Sequence, residues 1–252
     1  MRIPLHPAGG REIAILSLAF GGPAVLFAVA AVGWGHAWCW LVAGLLALLW
    51  LGGLLFFRDP ERTVPSGDGL LVAPADGRVV ETVRLDEEPH VGGPATRLSI
   101  FLSVFDVHVN RSPCAGVVRS IQYQPGRFLD ARDTRSGSLN EANTIVIAPD
   151  DPDAGLVVVR QIAGLIARRI VCTVKVGDRV RLGQRIGLIK FGSRTELVVA
   201  GHDAYEPAVR VGDRARGAVT IMARRTDAAQ VAAAARTGNN PPRDEADAEA
   251  SA

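Results

Sequence analysis

Four short pieces of the chain hold side chains able to move a proton or attack a carbonyl. Asp76 lies in Pro74-Ala75-Asp76-Gly77, and His108 lies within "FDVHVNRSP", residues 105–113. Asn140, Glu141 and Asn143 precede a Val/Ile run, and Ser193 follows Gly192 in "RIGLIKFGSRTELVV", residues 185–199. Singly, each has an ordinary structural reading. Asp-Gly is a common turn pair, a histidine among alternating apolar residues is usually a satisfied core residue, and a glycine inside a strand pattern marks a bulge or tight turn. Together, an Asp, a His and a Ser on separate strands can supply a nucleophile, its base and an orienting carboxylate. The esterase elbow G-x-S-x-G is absent, because Ser193 is followed by Arg194 and Thr195. Alternation places Phe105, Val107 and Val109 on one strand face and Asp106, His108 and Asn110 on the other. Cys39, Cys114 and Cys172 are too widely spaced for a metal site and too few for a disulfide framework, so no metal is expected.

The elements that must position these groups fall into two parts. From Ile13 to Phe57 there is no Asp, Glu, Lys or Arg. That run is longer than the roughly 20 residues needed to cross a bilayer and longer than the apolar region of about 7–15 residues in a cleaved signal peptide. Gly33, Gly35 and His36 interrupt it, so the reading is two spans, 13–33 and 38–57, within an anchor of residues 1–57. Arg2, Arg11, Arg58 and Arg62 flank the pair, while the connecting loop carries no Lys or Arg. The positive-inside rule then puts both termini, and the catalytic domain, on the cytoplasmic face of the inner membrane.

A Pro-, Gly- and charge-rich linker is expected over 58–69. Residues 70–225 read as a β domain that carries all four of these pieces: short Val/Ile-rich runs separated by turn residues, with short helices admissible only in "GLIARR" and near 127–140. Gly-Asp turns flanked by valines recur in "VKVGDRVRLGQRIG" and "VRVGDRARGAVT" and suggest a barrel-sandwich-like β domain. The fold class is therefore mainly β with an N-terminal transmembrane helical hairpin. Residues 226–252 are Ala-, Asp- and Pro-rich and are expected to be disordered. The net charge of +2 gives no reason to expect nucleic acid as a partner.

From about Arg58 to about Ile221 the sequence resembles the phosphatidylserine decarboxylase proenzymes, in their short bacterial form. The resemblance rests on "PADG", "LSVFDVHVNRSP", "NEAN", "QIAGLIARRIVC" and "VKVGDRVRLGQRIGLIKFGSR". It implies self-cleavage at Gly192-Ser193, with Ser193 Oγ attacking the Gly192 carbonyl to give an ester. Elimination across Ser193 then releases the upstream chain and leaves a residue that becomes a covalent pyruvoyl group, the only cofactor implied. His108 would be the base for Ser193, and Asp76 would orient His108. The pyruvoyl ketone would act as electron sink while phosphatidylserine loses carbon dioxide to give phosphatidylethanolamine.

The implied partners are the phospholipid substrate, the membrane, and the two chains 1–192 and 193–252 of one precursor; a homo-oligomer is admissible. Arg111 and Arg194 are candidates for the lipid phosphate or carboxylate. Two departures from the family pattern stand out: Arg111 occupies the place of a second histidine found in longer members, and Asn140-Glu141-Ala142 lacks that motif's arginine. A decarboxylase of a related, archaetidylserine-like phosphoserine lipid is the rival enzyme reading. A non-enzymatic membrane-anchored barrel-sandwich carrier or adaptor is the other alternative, but Lys190 in Ile-Lys-Phe lacks the methionine neighbours usual at a carrier's modified lysine.

Overall fold

The computed structural model describes residues 4–133, 135–165, 169–190 and 193–226. Phe191 and Gly192, the middle of "GLIARR" and the tail from 227 onward lie outside them.

The N-terminal part is helical: α1 (Gly10–Leu16) runs through a π-helical turn, Ser17–Gly21, into α2 (Gly22–Trp34), and α3 (Ala37–Phe56) returns. The stretches Pro7–Trp34 and Ala37–Phe56 are each long and apolar enough to cross a bilayer. The break falls at Gly35, left-handed with φ 70°, and at His36; Gly33 stays helical. The two arms meet through small residues, as apolar helices do in lipid: Gly21 faces the Trp50 indole and Gly53 faces Leu16. Trp50 Nε1 donates to Ser17 Oγ at 3.1 Å. Leu18, Leu26, Val32, Leu41 and Leu48 point outward and are mostly exposed, an arrangement suited to hydrocarbon rather than water.

The rest is β. The strands are β1 (Leu70–Val72), β2 (Gly77–Glu88), β3 (Gly93–Leu102), β4 (Val109–Arg111), β5 (Gly116–Gln124), β6 (Ala142–Pro149) and β7 (Val157–Ala163). They continue as β8 (Ile170–Cys172), β9 (Arg179–Val180), β10 (Arg185–Ile189), β11 (Ser193–Ala200), β12 (Tyr205–Pro207), β13 (Arg214–Ala215) and β14 (Ile221–Arg225). A short α4 (Ser136–Leu139) lies within the region where sequence admitted a helix. The main sheet has the order β13-β2-β3-β11-β7-β6-β5-β9, and two three-stranded sheets, β1-β14-β12 and β4-β10-β8, accompany it.

The strand β11 is central. It pairs antiparallel with β3 on one side and β7 on the other, so both its edges are satisfied, and its side chains are buried from Ser193 through Val199. Its inner face joins Leu98, Ile100, Leu102, Ile145, Ile147, Val157 and Val159 through Leu197 and Val199. Each such side chain, fully buried, contributes about 1.5–3 kcal/mol. The outer face holds charges instead, Arg194 and Glu196 among them.

One sequence expectation changes. The stretch 105–108 is not strand: the Asp106 carboxylate accepts from Ser103 N–H (2.9 Å) and Ser103 Oγ (2.7 Å), closing a turn before β4 begins at Val109. Phe105 consequently projects into the open, 83% exposed, while Val107 and Val109 are buried.

The two parts are joined by packing and by charge. Phe56 and Phe57 pack with Val107, Val109 and Leu188. The buried carboxylate of Asp59 receives Arg111 at 2.8 Å and also Arg185. Lys190 pairs with Glu12 of α1 at 2.6 Å. The segment after Phe57 is thus fixed at Asp59, not a free tether.

Candidate active site

The site is assembled on the inner face of the main sheet at the head of β11. Ser193 opens that strand opposite Leu102 of β3 and Ala163 of β7. It is fully buried. Its Oγ has no hydrogen-bond partner among the described residues. An orphaned buried hydroxyl costs about 1–3 kcal/mol, so its retention in a fully packed strand calls for a use. Gly192, the other half of the expected scissile bond, lies outside the described residues.

Below Ser193 runs a chain of buried polar side chains. Asn143 Nδ2 donates to Gln161 Oε1 (2.9 Å), Gln161 Nε2 to Asn110 Oδ1 (2.8 Å), and Asn110 Nδ2 to Thr195 Oγ1 (2.9 Å). Four strands, β6, β7, β4 and β11, each supply one member. Glycine at 187 permits this: a Cβ there would stand 2.3 Å from the Val171 carbonyl oxygen and 2.8 Å from Gln161 Nε2. The last link joins the His108 segment to the Ser193 strand, because Asn110 and Thr195 each lie two residues beyond those groups.

His108 is fully buried just before β4. Its Nδ1 sits 2.9 Å from the Asp106 carbonyl oxygen. A carbonyl only accepts, so Nδ1 carries the proton and the lone pair is on Nε2. The Phe56 ring lies over the imidazole with centroids 4.4 Å apart. Burial is the main cause that pushes the imidazole down from 6.5 to about 4, outweighing the Asp106 carbonyl and carboxylate, which act the other way. The ring is therefore a neutral base at neutral pH.

The remaining candidate residues sit as follows. Asp76 takes Arg62 at 2.7 Å and the Gly217 N–H at 2.8 Å; the contact that fixes His108 through Nδ1 is the Asp106 carbonyl. Gly77 beside it, at φ 153°, lies so close to β3 that a Cβ would meet the Phe101 carbonyl oxygen at 2.1 Å. Arg111 is buried and donates to Asp59, to the Pro60 carbonyl (3.0 Å) and to the Gly183 carbonyl (3.2 Å). Arg194 lies on the opposite sheet face from Ser193, paired with Glu81, with Glu196 at 3.0 Å and with Ser99 Oγ at 2.8 Å. Asn140 fastens the chain by donating to the carbonyls of Leu129 (2.9 Å) and Ala163 (2.8 Å). Sequence reasoning had not singled out Gln161, Thr195, Phe56 or Asp59. Only Gln161 carried a signal, as a lone amide inside the apolar run of β7.

The comparisons show what the chain is similar to. The family model described as phosphatidylserine decarboxylase matches residues 54–223, which contain the whole site. The phosphatidylserine decarboxylase proenzyme of Symbiobacterium thermophilum is 48% identical over 185 residues, covering 73% of this chain and 84% of that protein. Those of Nitratidesulfovibrio vulgaris and Solibacter usitatus are 45% and 47% identical, each over 75% of this chain and over 84% and 88% of their own lengths. Matched over most of its length by both the family model and these relatives, the chain belongs to the phosphatidylserine decarboxylase family.

Proposed function

We propose that this protein is a membrane-anchored proenzyme that severs its own Gly192–Ser193 bond, converts Ser193 to a pyruvoyl group and decarboxylates phosphatidylserine to phosphatidylethanolamine. The observation that carries the reading is the buried, unpartnered Oγ of Ser193 in a chain of this family. The fit to a pyruvoyl group has one further support: the buried polar chain that ends on β11 at Thr195 is made of neutral amides and a hydroxyl, with no acid that would protonate a nearby ketone.

His108 Nε2 accepts the Ser193 hydroxyl proton as the oxygen turns on the Gly192 carbonyl. The Asp106 carbonyl holds the ring in the required tautomer. The chain Asn143–Gln161–Asn110–Thr195 fixes β11 against the His108 segment, so that approach is set by the fold rather than by chance encounter. The pyruvoyl group, once formed, supplies the electron sink for loss of carbon dioxide. His108, neutral between turnovers, then relays a proton taken up at Nε2 to the carbon that carried the carboxylate. Phe56 and the surrounding apolar cluster keep water from the imidazole throughout.

The topology supports the chains 1–192 and 193–252 staying together after cleavage. Strand β11 lies between β3 and β7, β13 pairs with β2, and β14 pairs with β1. The smaller chain is therefore interleaved with the larger. The hairpin supports placement in the membrane, and Arg11, Arg58 and Arg62 at its base favour the cytoplasmic face of the inner membrane. The domain division follows: an anchor through residue 57, a segment over 58–69 pinned at Asp59, and the catalytic β domain from 70; the proposed tail lies outside the described residues.

The test uses purified chain in lipid nanodiscs with carboxyl-labelled phosphatidylserine. Wild type should release labelled carbon dioxide and form phosphatidylethanolamine, and Ser193→Ala should do neither. Equal turnover by Ser193→Ala would remove the proposal.

A further inference from the structure

Two cavities open at the end of β3, next to the site. One, of about 440 Å³, is lined by Arg78, Arg132, Arg214, Phe101, Ser103 and Asp106 among others. The second, of about 320 Å³, shares Phe101, Ser103 and Arg132 and continues past Leu102, Val104 and Leu165. Leu102 is the register partner of Ser193, while Phe101 and Arg78 lie in register with Arg194 on the other sheet face, so the second cavity approaches from that face and comes to residue 193 around the strand end at Leu102.

The arginines here differ in kind from Arg111 and Arg194. Those two side chains are only 8% and 4% exposed and neutralise buried carboxylates. Recruiting either to a ligand would take a buried partner from Asp59 or Glu196, which is unfavourable. Arg132 and Arg214 are 72% and 76% exposed in their pairs with Asp130 and Asp106. Such exposed pairs are weak and screened by solvent, and they exchange partners readily. Arg78 donates to the Gly212 carbonyl at 2.7 Å and pairs with no carboxylate among the described residues. The three cations face two carboxylates, and Asp106 is already engaged by Ser103 N–H and Oγ.

The cleft also lies near the base of the helical hairpin. Arg58, directly below α3, donates both to the Leu55 carbonyl of that helix and to the Phe105 carbonyl. That fixes the 103–106 turn at the base of the hairpin. Val104 and Phe105 on the turn, and Leu165 across the cavity, are exposed apolar residues placed to enter the leaflet beside α3.

Resting on the decarboxylase reading, we infer that this cleft is the head-group subsite: Arg78, Arg132 and Arg214 hold the phosphodiester of a glycerophospholipid drawn from the leaflet. Its serine end then extends past Leu102 toward residue 193, and Val104, Phe105 and Leu165 flank its acyl-bearing end. The charge and the apolar rim together specify an anionic lipid, not a free phosphate ion.

Two measurements test this independently of turnover and with it. First, glycerophosphoserine binding to the uncleaved Ser193→Ala chain in nanodiscs of phosphatidylcholine is measured by calorimetry. It should weaken at least tenfold when Arg78→Gln, Arg132→Gln and Arg214→Gln are combined, and inorganic phosphate should bind the parent chain far more weakly. Second, in the cleavable chain the same three substitutions should leave self-cleavage intact and raise KM for dihexanoyl phosphatidylserine at least tenfold, with kcat changed less than threefold. Unchanged glycerophosphoserine binding in the triple variant, or inorganic phosphate bound as tightly, overturns the subsite. An inactive wild type that still shows arginine-dependent binding would overturn the decarboxylase reading and leave the subsite standing.

Discussion

Protonating His108 should stop self-cleavage, and the pH at which it does so follows from the burial of the ring. The imidazole is pushed from 6.5 to about 4. At about 1.4 kcal/mol for each pH unit, the fold disfavours imidazolium by about 3 kcal/mol. A base that stays neutral to this depth gives a flat rate of cleavage between pH 8 and 6. Half the rate should be lost near pH 4, well below the value of an open histidine. Stability moves in the same direction. The folded-state value lies below the unfolded one, so the stabilisation is fully present above 6.5 and is lost as pH falls from 6.5 toward 4, with a slope of up to about 1.4 kcal/mol per pH unit for one proton. The assay is a pulse of labelled cell-free synthesis into nanodiscs, a pH jump, and quantitation of severed chain on a denaturing gel. Far-UV circular dichroism confirms that the sheet persists; the tryptophans, Trp34, Trp38, Trp40 and Trp50, all sit in the hairpin and do not report on it. A half-point between 6 and 7, or undiminished cleavage at pH 3.5 in folded protein, would refute the assignment of His108 as the buried base.

Phe56→Ala removes the ring over the imidazole, costs about 3–5 kcal/mol as a large-to-small core change, and should move the half-point of the same pH profile up toward 6.5. Asp59→Asn leaves Arg111 buried without its anion; thermal or denaturant unfolding should show a loss of about 3–5 kcal/mol, and the purified chain should become protease-sensitive near residue 58. Asn110→Ala breaks two links of the buried amide chain, at about 1–3 kcal/mol for each group left unsatisfied. Cleavage should slow on the gel although Ser193 and His108 are both intact.

The strands and the hairpin were legible because their signals are local. Valine-rich runs between Gly-Asp turns, and an uncharged stretch broken at Gly35-His36, announce themselves within a few residues. Ser193 stood out as a candidate through the sequence around it. The turn at 103–106 was not, because the Asp106 carboxylate's capture of Ser103 overrides an alternation that reads as strand and leaves Phe105 exposed. The ion pairs were hidden for a different reason. Arg111 meets Asp59 across 52 residues of chain, and Arg194 meets Glu81 across 113, so neither arginine could be told from a ligand-binding one by its neighbours in sequence. The polar chain under Ser193 draws single residues from four strands and exists only once the sheet has closed. The contact of Phe56 with His108 joins an apolar helix to the turn before β4, which hydropathy alone had read as separate parts.

The central claim is that Ser193 becomes a carbonyl group by breaking its own bond to Gly192. Intact mass spectrometry of the purified, folded chain tests it directly. The account predicts two polypeptides, 1–192 and 193–252, the second lacking a free amino terminus and lighter by the ammonia lost in making the ketone, while Ser193→Ala gives one undivided mass. A single full-length mass for folded wild type, or a second polypeptide that begins with unmodified serine, would contradict it.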